Sequence, residues 1–140
     1  MAAPTFNSTS NAWERADTEN TYSTEFVDPT ADDQITLFRA VKAGRVTGCR
    51  FIPKATLAAG TANFYLIGLV NGGTAAAASG TIVIAAQAGG TLGWTADTDV
   101  DIPVTGTATF VANEAIVLDY DETGTVAPSG LIQVSYRYDP

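Results

Sequence analysis

The chain has 140 residues, a formal net charge of −8, a single cysteine and no histidine. This length suits one domain. The lone Cys49 excludes an intrachain disulfide and a Cys-rich zinc site, while the lack of histidine removes the usual general base near neutral pH and the commonest metal ligand.

An acidic balance repels phosphate backbones, so nucleic acid is not an expected partner. No apolar run approaches the roughly 20 residues that cross a bilayer, so no membrane partner is expected either. The start, Met1 to Pro4, has neither a basic nor an apolar leader region, which predicts a soluble protein with no secretory leader. Asn7-Ser8-Thr9 then reads as a chance match to the glycosylation sequon.

Residues 1–34 read as an extended N-terminal arm and residues 35–140 as a β-sandwich domain. The arm holds Glu14, Asp17, Glu19, Glu25, Asp28, Asp32 and Asp33 against Arg15 alone, a net of −6, which leaves the rest of the chain at −2. Such a segment cannot bury enough apolar surface to fold alone. Its Phe6, Trp13, Tyr22 and Phe26 are therefore expected to dock on another surface as interface anchors.

Beyond the arm, eight segments read as strands: 35–41, 45–52, 62–70, 80–86, 100–104, 107–111, 114–120 and 131–138. They are short, rich in Val, Ile, Thr and aromatics, and bounded by turn residues, which predicts an all-β sandwich or barrel. In 45–52, Val46 falls on the opposite parity to Cys49 and Phe51, and a bulge at Gly48 would bring all three to one face.

The run 62–70 is apolar at both parities, as in a strand covered on both faces. Pro103 cannot donate a ladder hydrogen bond and so favours an edge position for its strand. The last run is the cleanest, with Ile132, Val134, Tyr136 and Tyr138 alternating against Gln133, Ser135 and Arg137. Asn71-Gly72-Gly73 and Pro128-Ser129-Gly130 supply turns between runs, and the alanine-rich stretch from Thr74 to Ser79 reads as a loop.

Each candidate for chemistry has a plainer explanation. Asp97, Asp99 and Asp101 have the spacing of calcium ligands, but Ile102 and Ala108 stand where a calcium loop needs its Gly and bidentate Glu, so a solvated, charge-guarded edge is the better reading. Asp119, Asp121 and Glu122 suit a hairpin end better than a pair of glycosidase acids.

Gly89-Gly90-Thr91-Leu92-Gly93 lacks the spacing of a phosphate loop. Cys49 lies in an apolar run with no base to activate it and reads as a small core residue. Trp13 and Trp94 offer at most a sparse sugar-stacking platform. No catalytic, metal or cofactor residue is predicted, and the chain is not expected to be an enzyme.

The charges make the sharper pattern. Arg39, Lys42, Arg45, Arg50 and Lys54 fall close together, and no acid occurs from Ile35 to Ala96, so a segment of +5 follows an arm of −6. The arm is expected to lie along this basic segment, in its own subunit or the next, steered by charge.

The stretch from Gly44 to Ala55, with Asn63-Phe64-Tyr65-Leu66, Leu69-Val70-Asn71 and the ending from Pro128 to Tyr136, resembles small virion proteins of tailed bacteriophages. The family is that of head decoration, or cement, proteins, and the resemblance spans roughly residues 35–138. It implies a jelly-roll-like antiparallel β-sandwich of about eight strands, made in the host cytoplasm and bound to the outer surface of the capsid. It further implies the phage major capsid protein as partner, a homo-oligomer with a trimer favoured, and no cofactor. The alternative reading is a glycan- or receptor-binding sandwich of a phage tail or fibre.

Overall fold

The computed structural model describes residues 3–7, 12–15, 19–26, 33–56, 64–74, 82–88, 93–123 and 129–140. The described residues are all-β. A two-stranded hairpin, β1 (Pro4–Asn7) with β2 (Ala12–Arg15), precedes two antiparallel sheets.

The sheets are built from β3 (Asn20–Phe26), β4 (Asp33–Arg39), β5 (Gly44–Pro53), β6 (Phe64–Asn71), β7 (Ile82–Ala88), β8 (Val100–Asp101), β9 (Thr109–Phe110), β10 (Ala115–Thr123) and β11 (Gly130–Tyr138). One sheet has the order β4-β10-β6-β7. The other runs β3-β11-β5-β8, with β9 also pairing with β5.

With β8 and β9 taken as two short pieces of one interrupted strand, this is the strand order of an eight-stranded jelly roll. Consecutive strands cross from sheet to sheet everywhere except the β6–β7 hairpin, as in a long ribbon rolled into two Greek keys. The expected all-β sandwich is therefore present, with the strand order of a jelly roll.

Local chemistry explains the strands. In β5 the pairing to β11 slips between Ser135 and Tyr136, so that Ser135 faces Gly48 while Tyr136 faces Val46. This is the bulge expected near Gly48, and Val46, Cys49 and Phe51 are all buried as a result. Pro103 follows β8, which lies at the edge of its sheet. Leu69 and Val70, adjacent in sequence and so facing opposite ways, are both buried, in line with a strand covered on both faces.

Besides the β1–β2 hairpin, two strands of the sandwich itself lie inside the segment that composition sets apart as an arm or straddle its end. β3 pairs with β11 over its whole length, from Phe26 opposite Gly130 to Asn20 opposite Tyr136. β4 starts at Asp33. The alternation in β3 explains the first: Thr21, Ser23 and Glu25 are exposed, while Tyr22 and Thr24 are half-buried on the sandwich side. Residues 20–26 are thus a sheet edge rather than a free tail.

The core fills the space between the sheets. At one end an aromatic chain joins them: Tyr22 meets Phe38 at 5.5 Å between ring centroids, and Phe38 stacks on Tyr136 at 4.7 Å. Tyr136 meets Tyr138 edge-on at 5.5 Å, and Phe110 closes on both. At the other end Trp94 packs edge-to-face on Phe51 at 5.1 Å. Ile84, Ile102, Ile116, Leu118 and Ile132 fill the middle. On the far side of the four-stranded sheet, Val70, Ala115 and Val117 form a second, smaller buried cluster.

Candidate functional site

The four proposed arm anchors separate into different environments. Phe6 and Trp13 stand directly opposite each other in the β1–β2 hairpin. Phe6 is 43% exposed, and the hairpin pairs with neither sheet of the sandwich. Tyr22 instead packs into its own chain's core, because its register opposite Val134 turns it inward against Phe38. Phe26 ends β3 opposite Gly130, and its side chain lies outside the described residues, as does that of Trp13.

Among the described residues, Arg50, Arg45 and Arg39 have partners outside the arm. Arg50 Nη1 donates to Asp99 Oδ2 at 2.8 Å, and Arg45 Nη2 lies 3.9 Å from Asp139 Oδ1. Arg39 Nη1 donates to the Asn113 carbonyl at 2.9 Å. Lys42 is half-buried and Lys54 exposed.

Among the described residues, the arm acid that engages the sheet is Glu19. Its Oε2 accepts from Thr47 Oγ1 at 2.8 Å and lies 3.9 Å from Arg137 Nε. The three ion pairs are about half exposed, so each contributes at most about 1 kcal/mol, and together they steer more than they hold. The expected docking of arm acids on Arg39, Lys42, Arg45, Arg50 and Lys54 is thus narrowed, among the described residues, to Glu19 beside Thr47 and Arg137, next to that segment.

The remaining sequence candidates take structural places. Cys49 is buried, and loss of hydration together with the nearby Asp101 carboxylate pushes its thiol up to about 12, so it stays protonated and unreactive at neutral pH. Asp97, Asp99 and Asp101 are exposed, and Asp99 is engaged by Arg50. Asp119 accepts from Gln34 Nε2 at 2.7 Å on the outer face of the four-stranded sheet. Asp121 and Glu122 lie in β10 with side chains outside the described residues, and residues 89–92 lie outside them altogether. Trp94 is only 4% exposed and belongs to the core, which removes it from any sugar-stacking platform.

One feature escaped the sequence. At the far end of β3, β5 and β11 lies an open surface cleft of about 330 Å³. Ile52, Pro53 and Leu131 form its apolar part, and Glu25, Lys54 and Asp97 contribute charges. Register creates it: Leu131 stands between Ile52 on one neighbour and Glu25 on the other. The Asp97 turn, held by its N–H to the Pro53 carbonyl at 2.9 Å, adds the remaining side. The signal in the sequence was only that Ile52 and Leu131 are apolar at positions whose parity faces solvent.

No family model matches this chain, and neither does any curated protein. Among solved structures it is similar to that of the infectious bursal disease virus Gx strain, with 13% identity and a TM-score of 0.35, covering 99% of this chain and 38% of that one. The infectious bursal disease virus Gt strain gives 13% identity and a TM-score of 0.35, with 99% and 36% covered. The VP2 subviral particle of the same virus gives 15%, 0.32, 99% and 38%. This chain spans well under half the length of each. At these TM-scores the likeness is too loose to carry fold or function across.

Proposed function

We propose that this chain is a structural protein of a phage virion, a decoration or cement protein that binds the outside of the head and bridges major capsid subunits. The observation that carries this reading is the division of the N-terminal segment. β3 is stitched into the sandwich, whereas the β1–β2 hairpin pairs with neither sheet and leaves Phe6 exposed. A two-stranded hairpin is marginal in water by itself and gains stability on a surface that covers its aromatics. A rigid body with an aromatic hairpin tethered to it is the form of an adhesive, and the jelly-roll strand order agrees with the family the sequence resembles.

The mechanism is mass action. A protein that binds the assembled shell and not its separated parts stabilises the shell by RT ln(1 + [L]/Kd) per site. Repetition over a closed lattice multiplies a modest contact. The glycan-binding alternative is weakened by the burial of Trp94.

The test is cosedimentation with purified expanded phage heads, using the full chain and a form lacking residues 1–18, which retains β3. Saturable binding by the full chain and weaker binding by the shortened one is the expected result. Absence of saturable binding by the full chain, together with hits on a glycan array, would replace this reading with the receptor-binding one.

A further inference from the structure

Asn71-Gly72 is the dipeptide in which an asparagine side chain is chemically least secure, because a glycine with no side chain lets its main-chain nitrogen approach the Asn side-chain carbonyl carbon. In the folded chain that approach is closed on every side. The Gly72 N–H donates to the Ala115 carbonyl at 2.9 Å, so the attacking nitrogen is held in the pairing to β10. Asn71 Oδ1 accepts the Gly73 N–H at 2.8 Å, while Nδ2 donates to Glu114 Oε2 at 2.9 Å and, more weakly, to the Thr109 carbonyl at 3.5 Å. The residue is 5% exposed, which keeps out the water that the reaction consumes.

We propose that Asn71 is a deamidation site which the fold keeps shut and only the unfolded chain uses, and that its products cannot return to the native corner. In the unfolded chain the Gly72 nitrogen attacks Asn71 Cγ. The N–Cγ bond forms, the Cγ–Nδ2 bond breaks, and the Gly72 amide proton ends on Nδ2, which leaves as ammonia. Water then opens the five-membered succinimide, at Cγ to give aspartate or at the main-chain carbonyl carbon to give isoaspartate. The sequence needs water alone as co-reactant, and nothing is oxidised or reduced.

Both products are wrong for the place they would have to refill. An aspartate at 71 turns a carboxylate oxygen toward the Glu114 carboxylate and the Thr109 carbonyl, two acceptors that Nδ2 satisfies in the parent, and burial raises the cost of the like charges. An isoaspartate lengthens the main chain by one methylene where Asn71 stands opposite both Ile116 and Ile82, which displaces the end of β6 against both neighbours. A chain that unfolds briefly refolds unchanged, whereas one that stays unfolded is converted to a form that does not. The inference concerns the chain by itself and is independent of capsid binding, so its failure leaves the cosedimentation assay to judge the proposed function.

The experiment ages the full chain at mildly alkaline pH in native buffer and in guanidinium chloride, and follows residue 71 by peptide mass and by enzymatic methylation of isoaspartate. Conversion is expected in denaturant and at least about a hundredfold more slowly in native buffer, where only the small fraction of open chains reacts. When aged chains are diluted out of denaturant, the refolded fraction should hold Asn71 and the fraction that fails to refold should carry the products. Two variants test the charge argument without ageing. Asn71→Asp is expected to lower the melting temperature or to abolish folding, and adding Glu114→Gln, which sets a donor opposite the new carboxylate, is expected to recover much of the loss. The proposal is overturned by equal conversion in the two buffers, by refolding of deamidated chains alongside the parent, by an Asn71→Asp chain as stable as the parent, or by no gain from Glu114→Gln.

Discussion

Asn71 Nδ2 donates to Glu114 Oε2 at 2.9 Å, and this contact ties the end of β6 to the turn between β9 and β10. The same carboxylate oxygen accepts the Val111 N–H at 2.8 Å, and Asn71 Oδ1 accepts the Gly73 N–H at 2.8 Å. Asn113, at φ 70, turns the chain so that its carbonyl meets Arg39. Asn71 is the buried polar side chain of the described residues, so its amide does work that water cannot take over. Replacing it with Leu, of similar size, removes a hydrogen bond to a carboxylate and leaves the Gly73 N–H without its acceptor. The expected loss is about 2–4 kcal/mol, read as a lower urea midpoint at unchanged slope. A loss below about 1 kcal/mol would show that the corner is held by its backbone alone.

Cys49 gives a pH prediction with a definite sign. Its thiol is pushed up to about 12 in the folded chain, from an unfolded value of 9.0. Between these values the unfolded state has lost its proton and the folded state has kept it. Stability linked to this group is therefore fully present below the unfolded value and falls as pH rises toward the folded one, by at most about 1.4 kcal/mol per pH unit. Cys49→Ala loses packing at every pH but lacks this slope. The stability gap between the two proteins is expected to narrow from pH 9 to 11, and a gap that stays constant or widens contradicts the assignment.

How legible all this was in the sequence depended on how local the signal was. The alternation from Leu131 to Tyr138 and the parity slip at Gly48 are carried by a few adjacent residues, and both appear in the fold. The strand at Asn20–Phe26 had its own period of two, Tyr22 and Thr24 against Thr21, Ser23 and Glu25, but the acidic composition around it outweighed the pattern. Tyr22 was accordingly assigned to a foreign surface when its own core was waiting for it. The cleft and the Asn71 corner were out of reach because they join residues far apart in the chain, Glu25 with Asp97 and Leu131, and Asn71 with Glu114.

Two glycines on one sheet separate crowding from ease. A Cβ on Gly130 would run into the Ile52 carbonyl oxygen and approach the Phe51 ring at 2.8 Å, while a Cβ on Gly48 would meet Ser135 at 3.7 Å, an ordinary contact. Gly130→Ala therefore has to push β11 away from β5 at the mouth of the cleft, at an expected cost of about 1–3 kcal/mol. Gly48→Ala is expected to stay within about 0.5–1 kcal/mol of the parent. Thermal melts of the two variants decide the point, and equal losses would mean that the strand pairing at Gly130 is looser than its register.

Tyr22 offers the test of how firmly β3 belongs to the sandwich. The strand is the first of its sheet and has one hydrogen-bonded neighbour, β11. Apart from the backbone ladder, its described hold on the core is Tyr22, half-buried and 5.5 Å from the Phe38 ring, because Thr24 is small and Thr21, Ser23 and Glu25 face outward. Phe38, by contrast, is buried and stacks on Tyr136 as well. Phe38→Ala is expected to cost about 3–5 kcal/mol and to lower the whole unfolding transition. Tyr22→Ala removes a partly exposed ring, with an expected loss of about 1–2 kcal/mol. That loss should fall first on the edge, so amide exchange ought to quicken in residues 20–26 while β5 and β10 keep their protection. Uniform loss of protection across both sheets would mean instead that β3 unfolds only with the domain.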